Sequence, residues 1–148
     1  MLIERGVYLT TIYGNTPSHL ALLGRKEDVA RMLIDGGANI RAVDNYINTP
    51  IHLASYWGKL DLARMLTERG ADVKALNYDA KTPLHLVSAP SEWSEIRPQE
   101  RAELVHMLLE HGAHVHARSR DGSTPFSLAS QYGHKEILHV LTQHRARS

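Results

Sequence analysis

The chain has 148 residues, 43% apolar and 22% charged, which is the composition of one ordinary globular domain and not of a disordered chain. Seventeen Lys and Arg against 16 Asp and Glu leave a net charge of +1, so no global phosphate-binding surface is expected. The absence of cysteine excludes disulfides, thiolate catalysis and thiolate zinc sites, and no apolar run approaches the ~18 residues of a membrane span.

Taken in chain order, Glu4 and Arg5 fall where a signal peptide would carry its apolar region, so none is expected. Thr-Pro pairs then recur at Thr16, Thr49, Thr82 and Thr124, with spacings of 33, 33 and 42. They open the segments NTPSHLALL, NTPIHLASY, KTPLHLVSA and STPFSLASQ. Threonine is a good N-cap and proline is tolerated at the first helical position, so each pair predicts a helix start. These first helices are short and carry small residues, as in His52-Leu53-Ala54-Ser55, which lets neighbours approach closely.

A second helix follows each turn, in VARMLIDGGANI from Val29, LARMLTERGADV from Leu62 and LVHMLLEHGAHV from Leu104. Leu62, Met65 and Leu66 show its helical spacing. It should end at Gly36-Gly37, Gly70 and Gly112, where glycine supplies a left-handed cap. The stretch from each such glycine to the next Thr-Pro predicts a hairpin finger pointing away from the helices. Two motifs that share one period establish an internal repeat.

The pattern resembles the ankyrin repeat family, with its period of about 33 residues and its T-P-L-H-x-A signature. The likeness covers essentially the whole chain and is strongest over 48–80. It implies an all-α ankyrin-repeat solenoid of helix–turn–helix units with short β-hairpin fingers. The expected organisation is one domain over 1–148: a partial repeat at 1–14, repeats at 15–47, 48–80 and 81–122, and a terminal repeat at 123–148.

Several departures carry expectations of their own. Met1–Gly6 aligns with Met32–Gly37, so the chain starts inside a repeat, which reads either as a trimmed fragment, the favoured expectation, or as a degenerate N-terminal cap. The finger glycine is Gly14 and Gly122 in two repeats but Ile47 and Ala80 in the middle ones, whose turns must bend without it. Repeat three carries an insertion near 90–98, PSEWSEIRP, with proline at both ends. It is read as a stiff loop and not as a longer helix. Ser127 stands where earlier repeats have histidine, and the closing HRARS is expected to fray.

The ten histidines do not call for a metal. His19, His52 and His85 are 33 apart, and the resemblance implies that each hydrogen-bonds finger backbone and ties neighbouring repeats. His111, His114 and His116 cluster, with the last two on one face of an extended segment, but they read as substitutions on an exposed finger base. The resemblance raises one modification, hydroxylation of a finger asparagine. Its slot holds Arg41, Lys74 and His116, which leaves only His116 as a target. No nucleophile elbow, P-loop, H-E-x-x-H or calcium loop is present, so no enzyme activity and no cofactor are expected.

Binding is expected on the concave face built from fingers and first helices. Tyr13, Tyr46 and Tyr78 fall at finger tips, and Tyr56, Trp57 and Tyr132 at first-helix ends, while the core slots are aliphatic. Aromatics placed at the surface invert the usual burial tendency and are typical of binding hot spots. Lys81 and Arg120 join them as partner-binding residues. A helix-end aromatic can also pack on the next finger, and that reading stays open for Trp57 and Tyr132. Trp93 and Ile96, in the insertion, either fold back over the helices or form a second contact site.

Mixed charge on this face favours a protein partner over nucleic acid, with no membrane insertion and a monomeric, intracellular module in cytoplasm or nucleus. The alternative is a regulatory or scaffolding ankyrin segment of a larger enzyme or channel, packing within its own chain.

Overall fold

The computed structural model describes residues 27–89 and 97–147. Seven helices lie among the described residues: α1 (Glu27–Asp35), α2 (Pro50–Tyr56), α3 (Leu60–Glu68), α4 (Pro83–Ser88), α5 (Pro98–Glu110), α6 (Pro125–Gln131) and α7 (Lys135–Arg147). Helices α2, α4 and α6 pack side by side in one layer and α3, α5 and α7 in the other. Within each repeat the first helix also packs on the second, α2 on α3, α4 on α5 and α6 on α7.

Local chemistry sets these elements. Thr49, Thr82 and Thr124 sit in extended conformation as N-caps, each followed by proline at the start of its helix. Helices α1, α3 and α5 are each followed by a glycine in the left-handed region, Gly37, Gly70 and Gly112. The second helices bury pairs four residues apart: Leu62 with Leu66, Leu104 with Leu108, and Ile137 with Leu141. That spacing places both members on one helical face. Burying each such side chain contributes about 1.5–3 kcal/mol. Ala54, Val87 and Ala129 close the contact from the first-helix layer.

The structure changes three expectations. Among the described residues there is no β-strand, so the fingers are tight turns and not ladder-forming hairpins. Each described finger has one backbone pair across its arms, and side-chain oxygens take N–H groups that a ladder would otherwise use. The second proline of the insertion opens a helix instead of closing a loop. Helix α5 starts at Pro98 and runs 13 residues, against 9 in α3, because proline at the first position forfeits no intrahelical bond. The tail is helical through Arg147, and the Arg145 guanidinium lies 5.5 Å from the centre of the Phe126 ring on α6.

Candidate functional site

The three described fingers share one turn. In the first, the Ile47 N–H donates to the Asp44 carbonyl (3.0 Å) and the Asp44 N–H to the Asn48 carbonyl (3.1 Å). Asp44 Oδ1 accepts from the N–H groups of Tyr46 and Asn48, both at 2.9 Å. The second finger repeats this with Asn77. Its backbone pairs with Lys81 (3.0 Å) and Ala80 (2.9 Å), and its Oδ1 accepts from Asp79 (3.0 Å) and Lys81 (2.9 Å).

The third finger keeps the backbone pairs, Ser119 to Ser123 and Gly122 to Ser119, both 2.9 Å. Its side-chain bonds differ: Ser119 Oγ and the Ser123 N–H both donate to Asp121 Oδ1. These bonds, the Ser119 hydroxyl foremost, hold the Asp121 carboxyl down to about 2.

This turn demands a left-handed residue at its fourth position. Gly122 meets that demand with φ 83°, while Ile47 (φ 61°) and Ala80 (φ 56°) meet it without being glycine. The turns do bend without glycine, by accepting a backbone conformation that L side chains adopt reluctantly.

Two buried histidines connect fingers to helices. The Thr49 N–H donates to His52 Nδ1 (3.1 Å), which leaves the proton on Nε2, and Nε2 donates to the Lys81 carbonyl of the next finger (3.0 Å). His85 does the same between the Thr82 N–H (3.1 Å) and the Ser123 carbonyl (3.0 Å). Burial pushes both imidazoles below their ordinary 6.5, so they are neutral donors. His19 lies outside the described residues. In the last repeat Ser127 closes the same helix start: its Oγ accepts from the Thr124 N–H (2.9 Å) and its N–H donates to Thr124 Oγ1 (3.1 Å). Serine is too short to reach another finger.

Adjacent fingers are joined at their tips. The Tyr78 N–H donates to the Tyr46 carbonyl and the Arg120 N–H to the Asp79 carbonyl, both at 2.8 Å. Asn77 Nδ2 donates to Asn48 Oδ1 (3.0 Å). These bonds align Tyr46, Tyr78 and Arg120 along one row. Tyr46 is 61% exposed and Tyr78 56%, and the Arg120 guanidinium lies 5.1 Å from the Tyr78 ring centre. Lys81 is half-buried at the foot of finger two.

The helix-end aromatics divide. Tyr56 and Trp57 meet edge to face, 5.0 Å between ring centres, and both are half-buried. They present part of their surface and pack with the rest. Tyr132 occupies the same repeat position as Trp57 but is 54% exposed, stacked on His134. Tyr13, Trp93 and Ile96 lie outside the described residues.

The structure adds three outward-facing residues that sequence reasoning missed: Val43, Ile47 and Leu76. Val43 and Leu76 are 33 apart and directly precede the turn, so aliphatic residues recurring at a polar-looking arm position were the available signal. Ile47 was read only as a missing glycine.

His111 Nδ1 donates to the Met107 carbonyl (2.9 Å) at the end of its own helix, while His114 and His116 are exposed. Among the described residues no three His, Asp or Glu side chains are placed to hold a metal ion. A larger depression crosses the outer faces of α3, α5 and α7, lined by Glu103, His106, Glu110 and Lys135 among others. It is open, and its His106–Glu110 pair (3.0 Å) is an ordinary exposed helix-surface contact. No described helix is long and apolar enough to cross a membrane.

Comparison with known families agrees with this geometry. Residues 1–77 match the family described as ankyrin repeats (3 copies), and residues 97–142 match ankyrin repeats (many copies). No curated protein matches the chain. Domains of this kind are generally protein–protein interaction modules and are typically not enzymes. The two matched segments, the two-layer helix stack and the histidine-tied fingers together show that the chain belongs to the ankyrin repeat family.

Proposed function

We propose that this chain is a non-enzymatic, monomeric protein-recognition module that binds a partner protein through its concave face of fingers and first-helix ends. The contacts are Tyr46, Tyr56, Trp57, Tyr78, Lys81, Arg120 and Tyr132, with Tyr13 extending the same series. One observation carries this reading. The largest fully buried side chains are aliphatic apart from His52, while Tyr46, Tyr78 and Tyr132 are each more than half exposed. Exposed aromatics give rigid contact area at small entropic loss. Charges of both signs along the row, with Arg120 and Lys81 beside Asp79 and Asp121, suit a protein surface better than a phosphate backbone. The cysteine-free composition supports a place inside the cell.

The test is affinity capture with mass spectrometry, using the parent chain and a variant carrying Tyr46→Ala, Trp57→Ala and Tyr78→Ala as baits. Both baits must melt alike. A protein held by the parent and reduced about tenfold or more on the variant is the expected outcome. Equal capture by both baits moves recognition away from the concave face, and Trp93 and Ile96 become the next residues to change.

A further inference from the structure

We infer that finger three is an acid-released latch with His85 as its clasp: when His85 takes a second ring proton, residues 117–123 lift from α4 while both helix layers stay packed. The latch does not depend on the concave-face reading. It would regulate that face, because an opening finger carries Arg120 away from the Tyr78 ring, whose centre lies 5.1 Å from the guanidinium when the finger is closed.

His85 is fully buried and both of its ring nitrogens are committed. Nε2 donates to the Ser123 carbonyl (3.0 Å), and the Ala117 carbonyl on the opposite arm of the finger also faces the ring. Nδ1 accepts from the Thr82 N–H (3.1 Å), so a proton there sets donor against donor. Among the described residues the charges acting on the ring are Lys81, which opposes a proton, and Asp121, which favours one. The helices packed against α4, namely α2, α5 and α6, add none. Asp121, held down to about 2, stays ionised throughout and does not titrate with the histidine. The closed finger therefore offers the imidazolium no net counter-charge, and water reaches it only when the finger lifts.

His52 clasps finger two in the same way, yet finger two is bonded on both sides. The Tyr78 N–H donates to the Tyr46 carbonyl, Asn77 Nδ2 to Asn48 Oδ1, and the Arg120 N–H to the Asp79 carbonyl. Among the described residues the last of these is the one hydrogen bond that ties finger three to a neighbouring finger. Lifting finger three breaks that bond and the His85 clasp alone, so acid opens it before finger two.

Native-state hydrogen exchange, followed by NMR at about pH 7.5 and 5.5 in increasing urea and corrected for the intrinsic rate of each amide, reads the latch. The reporters are the Arg120 N–H, bonded across to finger two, and the Thr82 N–H, bonded to Nδ1. Both should lose protection about tenfold between the two pH values, the effect of one proton taken up on opening by a group of ordinary value about 6.5. That loss should be independent of urea well below the unfolding midpoint, because a local opening exposes little surface. The Tyr78 N–H should change by less than about threefold. The Leu66 and Leu108 amides, within the helices, should exchange through urea-dependent global unfolding. His85→Gln should hold the pH effect at Arg120 to within about twofold. His114→Gln with His116→Gln, which removes the exposed histidines of the same segment, should leave it intact.

Exchange at Arg120 and Thr82 that rises with urea in step with Leu66 and Leu108 makes acid a global destabiliser and overturns the latch. Equal protection at the two pH values overturns it as well, and so does a pH effect that disappears in the His114 and His116 variant. The urea dependence of the parent chain and that second variant decide the matter even where His85→Gln does not fold.

Discussion

Fingers one and two are built like finger three in their backbone and unlike it in their chemistry. All three close with the same pair of main-chain hydrogen bonds. Fingers one and two place Ile47 and Ala80 in the left-handed region, which costs a non-glycine residue about 1–2 kcal/mol, while finger three uses Gly122. The strained fingers begin with Asp44 and Asn77, whose Oδ1 atoms each accept two backbone N–H groups, and the relaxed finger begins with Ser119. Each such bond is worth about 0.5–1.5 kcal/mol net, enough for two of them to offset the strain. The difference teaches that the tip residue does not set this turn. The shared main-chain pair does, and the fourth position accepts isoleucine, alanine or glycine within it.

The largest effects should come from removing the side chain at a finger's base. Asp44→Ala deletes the three hydrogen bonds that a buried carboxylate accepts and should destabilise the chain by about 2–3 kcal/mol, and Asn77→Ala by about 1–2. Ser119→Ala should stay near ~1 kcal/mol, because finger three has no strain to offset. Chemical denaturation measures all three, and a loss at Ser119 as large as at Asp44 would break the comparison.

Tip exchanges come next and should have opposite signs. Gly122→Ala imposes the strain and should lose about 1–2 kcal/mol, whereas Ile47→Gly should gain about 0.5–1 after the entropy of a glycine in the unfolded chain is counted. A gain at Ile47 that grows in an Asp44→Ala background would show the base bonds and the strained tip acting on one another.

A gentler probe is pH. The His52 and His85 imidazoles are held below 6.5 by burial, so the native state favours their neutral forms. Their contribution is complete above the unfolded value of about 6.5 and falls as pH drops below it, because the unfolded chain then takes up protons that the native chain refuses. Melting temperature should fall between about pH 7.5 and 5.5, and His85→Gln should shrink that dependence. A pH-independent melting curve would remove the neutral histidine bridge from the account of what holds fingers two and three.

Legibility followed the range of the forces involved. Helix starts were readable because Thr49-Pro50, Thr82-Pro83 and Thr124-Pro125 act through bonds within one turn. Second-helix burial was readable because Leu62 with Leu66 and Leu104 with Leu108 express the helical period directly. At the end of the insertion Pro98 opens α5 instead of closing a loop, because proline punctuates both loops and helix starts, and only the packing of α5 against α7 decides between them. The exposed tail was likewise expected to fray, since the contact of Arg145 with Phe126 joins residues on different helices.

The same division holds for the site. Period, capping chemistry and the slots of Tyr46, Tyr78 and Arg120 are properties of the sequence alone, and they determined the family, the all-α stack and the face on which recognition is sought. Only the tertiary structure set Tyr46, Tyr78 and Arg120 in one row, separated half-buried Trp57 from exposed Tyr132, and exposed Val43, Leu76 and a strained Ile47. Those outcomes depend on which backbone N–H meets which carbonyl in the neighbouring finger, and no local pattern within a repeat encodes the tip bonds of Tyr78 to Tyr46 and of Arg120 to Asp79.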